Sequence, residues 1–219
     1  MAMTFEVSIS SLTKRSFTQG VLVVKDVRFF FDVGSPAAYL AWTQLPEICA
    51  KAGARMIYKP MLLGGVFQAT GNASPAAVPA KGRYTNHDYV RHARKYGVPF
   101  AINPHFPIMT LFLMRVVTGV QLRDPERLQD LLRTVFKAIW IDSLNLNEPA
   151  LTAKTLAEAG FEPKAMQALA SDPEVKAALK TVTDEAVELG VFGAPTTFVG
   201  DEMFFGQDRL DMIREELAR

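Results

Sequence analysis

The stretch FFFDVGSPAAYLAW, residues 29–42, decides how the rest of the chain is read. Three phenylalanines close an apolar run that fits a strand covered on both faces. Asp32, Gly34, Ser35 and Pro36 then break the run. Serine is a favoured helix N-cap and proline is favoured at the first helical position, so a helix is expected from residue 36. Ala, Leu and Trp suit its interior through residue 52, and Gly53 suits its C-terminal cap. Residues 54–59, ARMIYK, alternate and read as a second strand stopped by Pro60. Together these pieces make a β-α-β unit, which places its two strands parallel.

Working outward, residues 61–84 are rich in glycine and proline and read as loop with a little helix. From about residue 85 the pattern is helical for a hundred residues. The candidates are 86–96, 107–118, 125–141, 151–159, 163–170 and 173–189. Asp124-Pro125 and Asp172-Pro173 are start signals, each an N-cap followed by proline. In 125–141, Leu128, Leu131, Leu132, Val135, Phe136, Ile139 and Trp140 form one apolar stripe. Residues 196–200 and 202–206 then read as a β-hairpin around Gly200-Asp201. A closing helix is expected over 208–218, capped by Asp208. The layout is therefore β-α-β, a helical block, then β-β-α: an α/β domain interrupted by an all-helical insertion. The divisions are 26–60 with 191–219 for the α/β part and 61–190 for the insertion. Residues 1–25 read as a loosely ordered extension. Its apolar run Val21–Val24 is too short for a signal peptide.

The 219 residues carry 24 lysines and arginines against 23 acids, and about half are apolar (49%). That composition supports a sizeable core and gives no reason to expect nucleic acid or an anionic membrane surface. No apolar run approaches a bilayer span. Cys49 is the single cysteine, which excludes a disulfide, a Cys-x-x-Cys pair or a cysteine-based zinc site. A reducing, cytoplasmic location is the simplest expectation. The three histidines lack metal-ligand spacing, so no metal is expected.

Ser35 has two readings. It caps a helix, and it also stands where unpaired N–H groups and the helix dipole favour an anion such as a thiolate. Any such thiol would come from a ligand, because Cys49 lies deep in the helical run. Pro195 in VFGAPTTFVG, residues 191–200, precedes a strand, and the sequence leaves its peptide isomer open. Residues 81–95 are basic: a solvated helix face is the plainer reading, attraction of an anionic substrate the other.

The frame and its insertion resemble the thioredoxin fold, with Ser35 where thioredoxins carry their first active-site cysteine. FDVGSPAAYLA, PMLLGGVFQATGNASP, PAKGRYTNHDYVRHARKYGVP and VFGAPTTFVGDEMFFGQDRL, in that order, resemble the kappa class of glutathione transferases and the 2-hydroxychromene-2-carboxylate isomerases. The likeness runs from residue 27 to the end.

This resemblance implies glutathione as cofactor. Ser35 would donate its hydroxyl to the sulfur, and Ala194, before Pro195, would pair its backbone with the cysteinyl residue. Phe205, Gly206, Gln207 and Asp208 would hold the γ-glutamyl end; Asn72 and Lys81 would line the site, Lys81 facing a carboxylate. Phe106 and Met109 would lie near a small aromatic carboxylate substrate. The implied activity is glutathione-dependent isomerisation of 2-hydroxychromene-2-carboxylate or a related aromatic-degradation intermediate, with glutathione returned unchanged. Conjugation by a kappa-like transferase and a non-catalytic binding module are the alternatives, and a homodimer is implied. The chain departs from the family pattern at Ala37 and Ala38, where an aromatic often follows Ser-Pro, and at Met109, where the isomerases commonly carry Asn.

Overall fold

The computed structural model describes residues 24–219. The extension proposed for 1–25 lies outside this span up to residue 23. A four-stranded sheet runs in the order β2-β1-β3-β4. Strand β1 (Asp26–Phe31) pairs in parallel with β2 (Arg55–Pro60), Phe29 opposite Tyr58. On its other side β1 pairs antiparallel with β3 (Thr196–Val199), Phe29 opposite Thr197. A turn at Gly200-Asp201 returns the chain as β4 (Glu202–Phe205). This is the thioredoxin-like β-α-β and β-β-α frame, with helices and the irregular segments that join them between its two halves.

β1 explains why both faces of the sheet are covered. Phe29 and Phe31 point to one side and stack at 5.1 Å, with the Tyr58 ring edge-on to both. They join the larger core, which includes α1 (Pro36–Trp42), α2 (Leu45–Ala52), α5 (Leu111–Arg123), α6 (Leu128–Trp140) and α10 (Leu210–Leu217). Phe30 points to the other side and meets Phe198 edge-on at 5.7 Å. There it packs with Met61, Val66, Ala186 and Val191 under α3 (Leu63–Thr70) and α9 (Pro173–Glu188). Phe29, Phe30 and Phe31 are fully buried, and each contributes about 2–3 kcal/mol of transfer free energy. The stripe expected on 125–141 is buried along its whole length.

Several elements differ from the sequence reading. The helix expected over 36–52 is two helices, because Pro46 cannot donate to the preceding turn and its ring clashes there. The segment 61–84 holds more helix than expected: α3 fills 63–70, a 3-10 turn spans Pro75–Ala77, and α4 (Pro79–Tyr96) starts seven residues before the expected 86. Proline at N1 starts α4, and Gly82 is accommodated because a side chain there would press on Ala76, 3.2 Å away. The helix expected at 107 begins at Leu111; residues 107–110 are irregular. A 3-10 turn, Pro125–Arg127, precedes α6, and Asp124 makes no side-chain cap. Asp172 does cap, accepting from Glu174 N at 2.8 Å. Helices α7 (Pro149–Glu158) and α8 (Pro163–Ser171) start at prolines close to their expected positions. The closing helix begins with a 3-10 turn, Gln207–Arg209, and Asp208 pairs with Arg209 instead of capping it.

Candidate active site

The β1–α1 turn is built around Asp32. Its main-chain carbonyl accepts from Ser35 N at 3.0 Å, and its Oδ1 accepts from Gly34 N at 2.9 Å. Its Oδ2 accepts from Leu63 N at 2.9 Å and from the Thr110 hydroxyl at 3.0 Å. One buried carboxylate thus ties the turn to the starts of α3 and α5. Burial pushes its pKa up, against the three hydrogen bonds that pull it down. Gly34 has no room for a side chain, as a Cβ would sit 2.7 Å from Thr110.

Ser35 is the N-cap of α1 and is 5% exposed. Its Oγ accepts from Ala38 N at 3.1 Å and donates to the Ala194 carbonyl at 2.9 Å. The serine therefore caps the helix and also faces the loop it was expected to face. The expected help from the helix dipole is small, because α1 is only seven residues long and Pro36 offers no N–H.

The facing loop is Gly193-Ala194-Pro195, with a cis Ala194-Pro195 peptide. The Thr196 hydroxyl donates to Gly193 O at 2.8 Å, and Gly206 N donates to Pro195 O at 2.9 Å. A Cβ on Gly193 would lie 2.7 Å from the Phe205 ring, which itself packs on Phe192 at 4.6 Å. The Ala194 N–H has no hydrogen-bond partner among the described residues. Asn72 holds this loop from the other direction, its Nδ2 donating to Phe192 O at 2.7 Å.

These pieces share one cleft of about 1170 Å³. Ser35, Ala194, Phe205, Gly206, Gln207 and Asp208 line it from the α/β frame, and Asn72, Lys81, Phe106 and Met109 from the insertion. Pro195 lies behind Ala194 and does not line it. Gln207 is buried, and its carbonyl accepts from the Tyr96 hydroxyl at 2.5 Å. Lys81 is exposed on α4 with no carboxylate within 4 Å among the described residues. Of the basic stretch 81–95 it is the one cation that reaches the cleft; Lys95 faces Asp211 and Arg91 faces Asp88 at its edge.

Sequence reasoning gave no role to Asp32, Thr110, Tyr96 or Trp140. Asp32 left a signal: a carboxylate directly after a fully apolar strand must find donors. Trp140, whose Nε1 donates to Val33 O at 2.9 Å, left none beyond its place in the α6 stripe. Cys49 is buried, its thiol pushed up to about 11 by desolvation. Among the described residues no cluster of three metal-ligating side chains occurs, and no helix is long and apolar enough to cross a membrane.

A family model described as a DsbA-like thioredoxin domain matches residues 26–218. Glutathione S-transferase kappa 1 of Homo sapiens is 28% identical over 210 residues, spanning 89% of this chain and 91% of that protein. The 2-hydroxychromene-2-carboxylate isomerase of Pseudomonas putida is 28% identical over 195 residues, 88% of this chain and 94% of its own. A solved structure of a 2-hydroxychromene-2-carboxylate isomerase superposes with a TM-score of 0.77 at 27% identity, covering 89% of this chain and 95% of that one. Both names are those of the sequence resemblance. With its frame, its facing loop and almost its whole described length matched, the chain belongs to the DsbA-like thioredoxin domain family.

Proposed function

We propose that the chain is a glutathione-dependent isomerase acting on an aromatic-degradation intermediate of the 2-hydroxychromene-2-carboxylate kind. The observation that carries this reading is the pairing of Ser35 with Ala194 across the cleft, beside an uncommitted Ala194 N–H. An extended peptide can pair with Ala194 as an added strand would, and its sulfur then falls beside the Ser35 hydroxyl.

Bound glutathione would supply a thiolate nucleophile, which the buried Cys49 cannot. Ser35 would turn its hydroxyl proton from Ala194 O toward that sulfur, while its Oγ keeps the Ala38 N–H. Lys81 would meet a peptide carboxylate, and the Gln207 amide would hold the opposite end. Asn72 would keep the facing loop in place through Phe192. At about 1170 Å³ the cleft exceeds the usual range of roughly 300–1,000 Å³ for a small-molecule pocket, so a second ligand fits beside the peptide. Met109 favours a second reading, a transferase that conjugates an apolar electrophile, because it puts an apolar side chain where, by the sequence resemblance, the isomerases commonly carry Asn.

The test is a calorimetric glutathione titration in two buffers of different ionisation enthalpy near neutral pH. Binding with close to one proton released is the expected result. Binding without proton release would reduce the chain to a binding module, and no binding would remove the glutathione reading altogether. Product analysis then separates the two chemistries: glutathione is recovered by an isomerase and consumed by a transferase.

A further inference from the structure

Four of the five tyrosines have a plain place in the fold. Tyr39 donates to Pro99 O at 2.6 Å and Tyr96 to Gln207 O at 2.5 Å. Tyr58 faces Gln129, and Tyr84 is exposed. Tyr89 on α4 differs from all of them. It is half-buried in the lining of the cleft, and its hydroxyl has no hydrogen-bond partner among the described residues. A tyrosine withdrawn this far from water ordinarily keeps a partner for its hydroxyl. A free one inside a cleft points to a ligand. Burial pushes its pKa up, and Asp88 and Asp208 push it the same way, so the group stays a neutral donor. Those carboxylates are partnered in turn, Asp88 with Arg91 at 3.5 Å and Asp208 with Arg209, which offsets part of their field where the hydroxyl stands.

The ring of Tyr89 fixes where that donor sits. It meets Phe100 edge-on, with centroids 6.3 Å apart. Phe100 stacks on Tyr39 at 6.3 Å and on Trp140 at 6.1 Å, and Trp140 meets Phe106 at 6.2 Å. Tyr39 belongs to α1, one turn after Ser35. The row of rings therefore runs from the serine helix to the wall at Phe106, and Tyr89, Phe100, Trp140 and Phe106 all line the cleft. The other polar groups of the row are committed, Tyr39 to Pro99 O and Trp140 to Val33 O. Lys81, Asn86 and Gln207 also bring free side-chain donors to the cleft, but among the described residues Tyr89 alone carries one on a ring of this row. Flat aromatic ligands pack on such rings, which puts the donor beside the ligand that the row would hold.

We propose that Tyr89 is a further catalytic residue: its hydroxyl donates to the oxygen that takes up charge when the glutathione thiolate adds to a conjugated carbonyl substrate. In that step a sulfur lone pair forms the C–S bond, the C=C pair moves to the neighbouring C–C bond and the C=O pair settles on oxygen, giving an enolate. Elimination returns the pairs and releases the thiolate, so no proton or electron is gained or lost. Tyr89 keeps its proton throughout and favours the enolate over the carbonyl, as a preplaced donor does. The proposal rests on the glutathione reading and supplies the donor for its reacting oxygen.

The test compares wild type with Tyr89→Phe, which keeps the ring on Phe100 and removes only the hydroxyl. Two electrophiles are offered with glutathione: benzylideneacetone, whose addition puts charge on an oxygen, and benzyl chloride, whose displacement does not. Tyr89→Phe should slow the benzylideneacetone reaction about 100-fold, the usual cost of one oxyanion donor. The benzyl chloride rate, glutathione affinity and proton release on glutathione binding should stay as in wild type. Equal slowing of both electrophiles would reduce Tyr89 to a structural role and overturn the proposal. So would an unchanged benzylideneacetone rate, or a loss of glutathione affinity, which would give the hydroxyl to the peptide. If wild type turns over neither electrophile, para-nitrophenolate decides, titrated into protein saturated with S-methylglutathione and read by its absorbance. Wild type should bind it about tenfold tighter than Tyr89→Phe, as one hydrogen bond to a charged oxygen makes the difference; equal binding or none overturns the proposal. If neither glutathione nor S-methylglutathione binds, the glutathione reading falls, and the same titration without peptide decides Tyr89 by the same outcomes.

Discussion

The two walls of the cleft are made differently. On the α/β side, Ser35 and Gln207 are nearly buried; the Ser35 hydroxyl is tied to Ala38 and Ala194, and the Gln207 carbonyl accepts from Tyr96. On the insertion side, Lys81 has no carboxylate partner among the described residues and Met109 stands out into the cleft. The first wall fixes directions, which a reacting atom needs. The second offers Lys81 and Met109 side chains that make no polar contact among the described residues, so they can be exchanged to choose a ligand at little cost to the frame. Asp32 is where the two meet, holding the serine turn to both α3 and α5.

Breaking that junction should give the largest effect. Asp32→Ala orphans the N–H groups of Gly34 and Leu63 and frees the Thr110 hydroxyl, a loss of about 4 kcal/mol read from urea unfolding. A loss under about 1 kcal/mol would mean the walls are held apart from Asp32. Ser35→Ala touches the frame wall alone. It should cut turnover about 100-fold, as removal of one aligned donor does, while the lost cap costs only about 1 kcal/mol of stability. Unchanged turnover would show that the frame wall does not direct the sulfur.

Gly119→Ala probes the insertion away from the cleft. Its Cβ would fall 2.3 Å from Leu169 Cγ, where α5 crosses α8. Overpacking should outweigh the better helix propensity and cost about 1–2 kcal/mol in thermal unfolding, with glutathione affinity unchanged. The smallest expected effect is a slope. Because burial raises the Asp32 pKa, the unfolded chain releases this proton first as pH rises. Its contribution is full below the unfolded value of about 3.9 and is lost as pH climbs through the higher folded value. Wild-type stability should therefore fall relative to Asp32→Asn from about pH 4 upward; parallel unfolding curves would contradict a buried, shifted carboxylate.

The frame was legible because its signals are local. FFFD, SP and the Gly200-Asp201 turn each state their conformation within a few residues. The insertion was harder for a physical reason. Gly82 and Gly119 look like helix breakers in sequence, yet each is a place where another segment approaches too closely for a side chain. Asp208 reads as a cap, and only the 3-10 turn at Gln207–Arg209 takes that role away. Asp32 was visible as a charge closing a buried strand, but its partners lie 31 and 78 positions away, beyond any local pattern.

The Ser35–Ala194 contact joins residues 159 positions apart. A chain made from its N-terminus exposes the serine long before the facing loop exists. The contact can form only once every helix between them has been synthesised, and pairings of such long range slow folding. Lengthening the intervening segment adds little to that closure, since the entropy cost grows only with the logarithm of loop length. The helices of 61–190 also fold largely through local contacts and shorten the distance that must be searched. A fragment ending before residue 191 would keep the serine but could not assemble the pair, so the facing walls of the cleft come together only with the last strands to be synthesised.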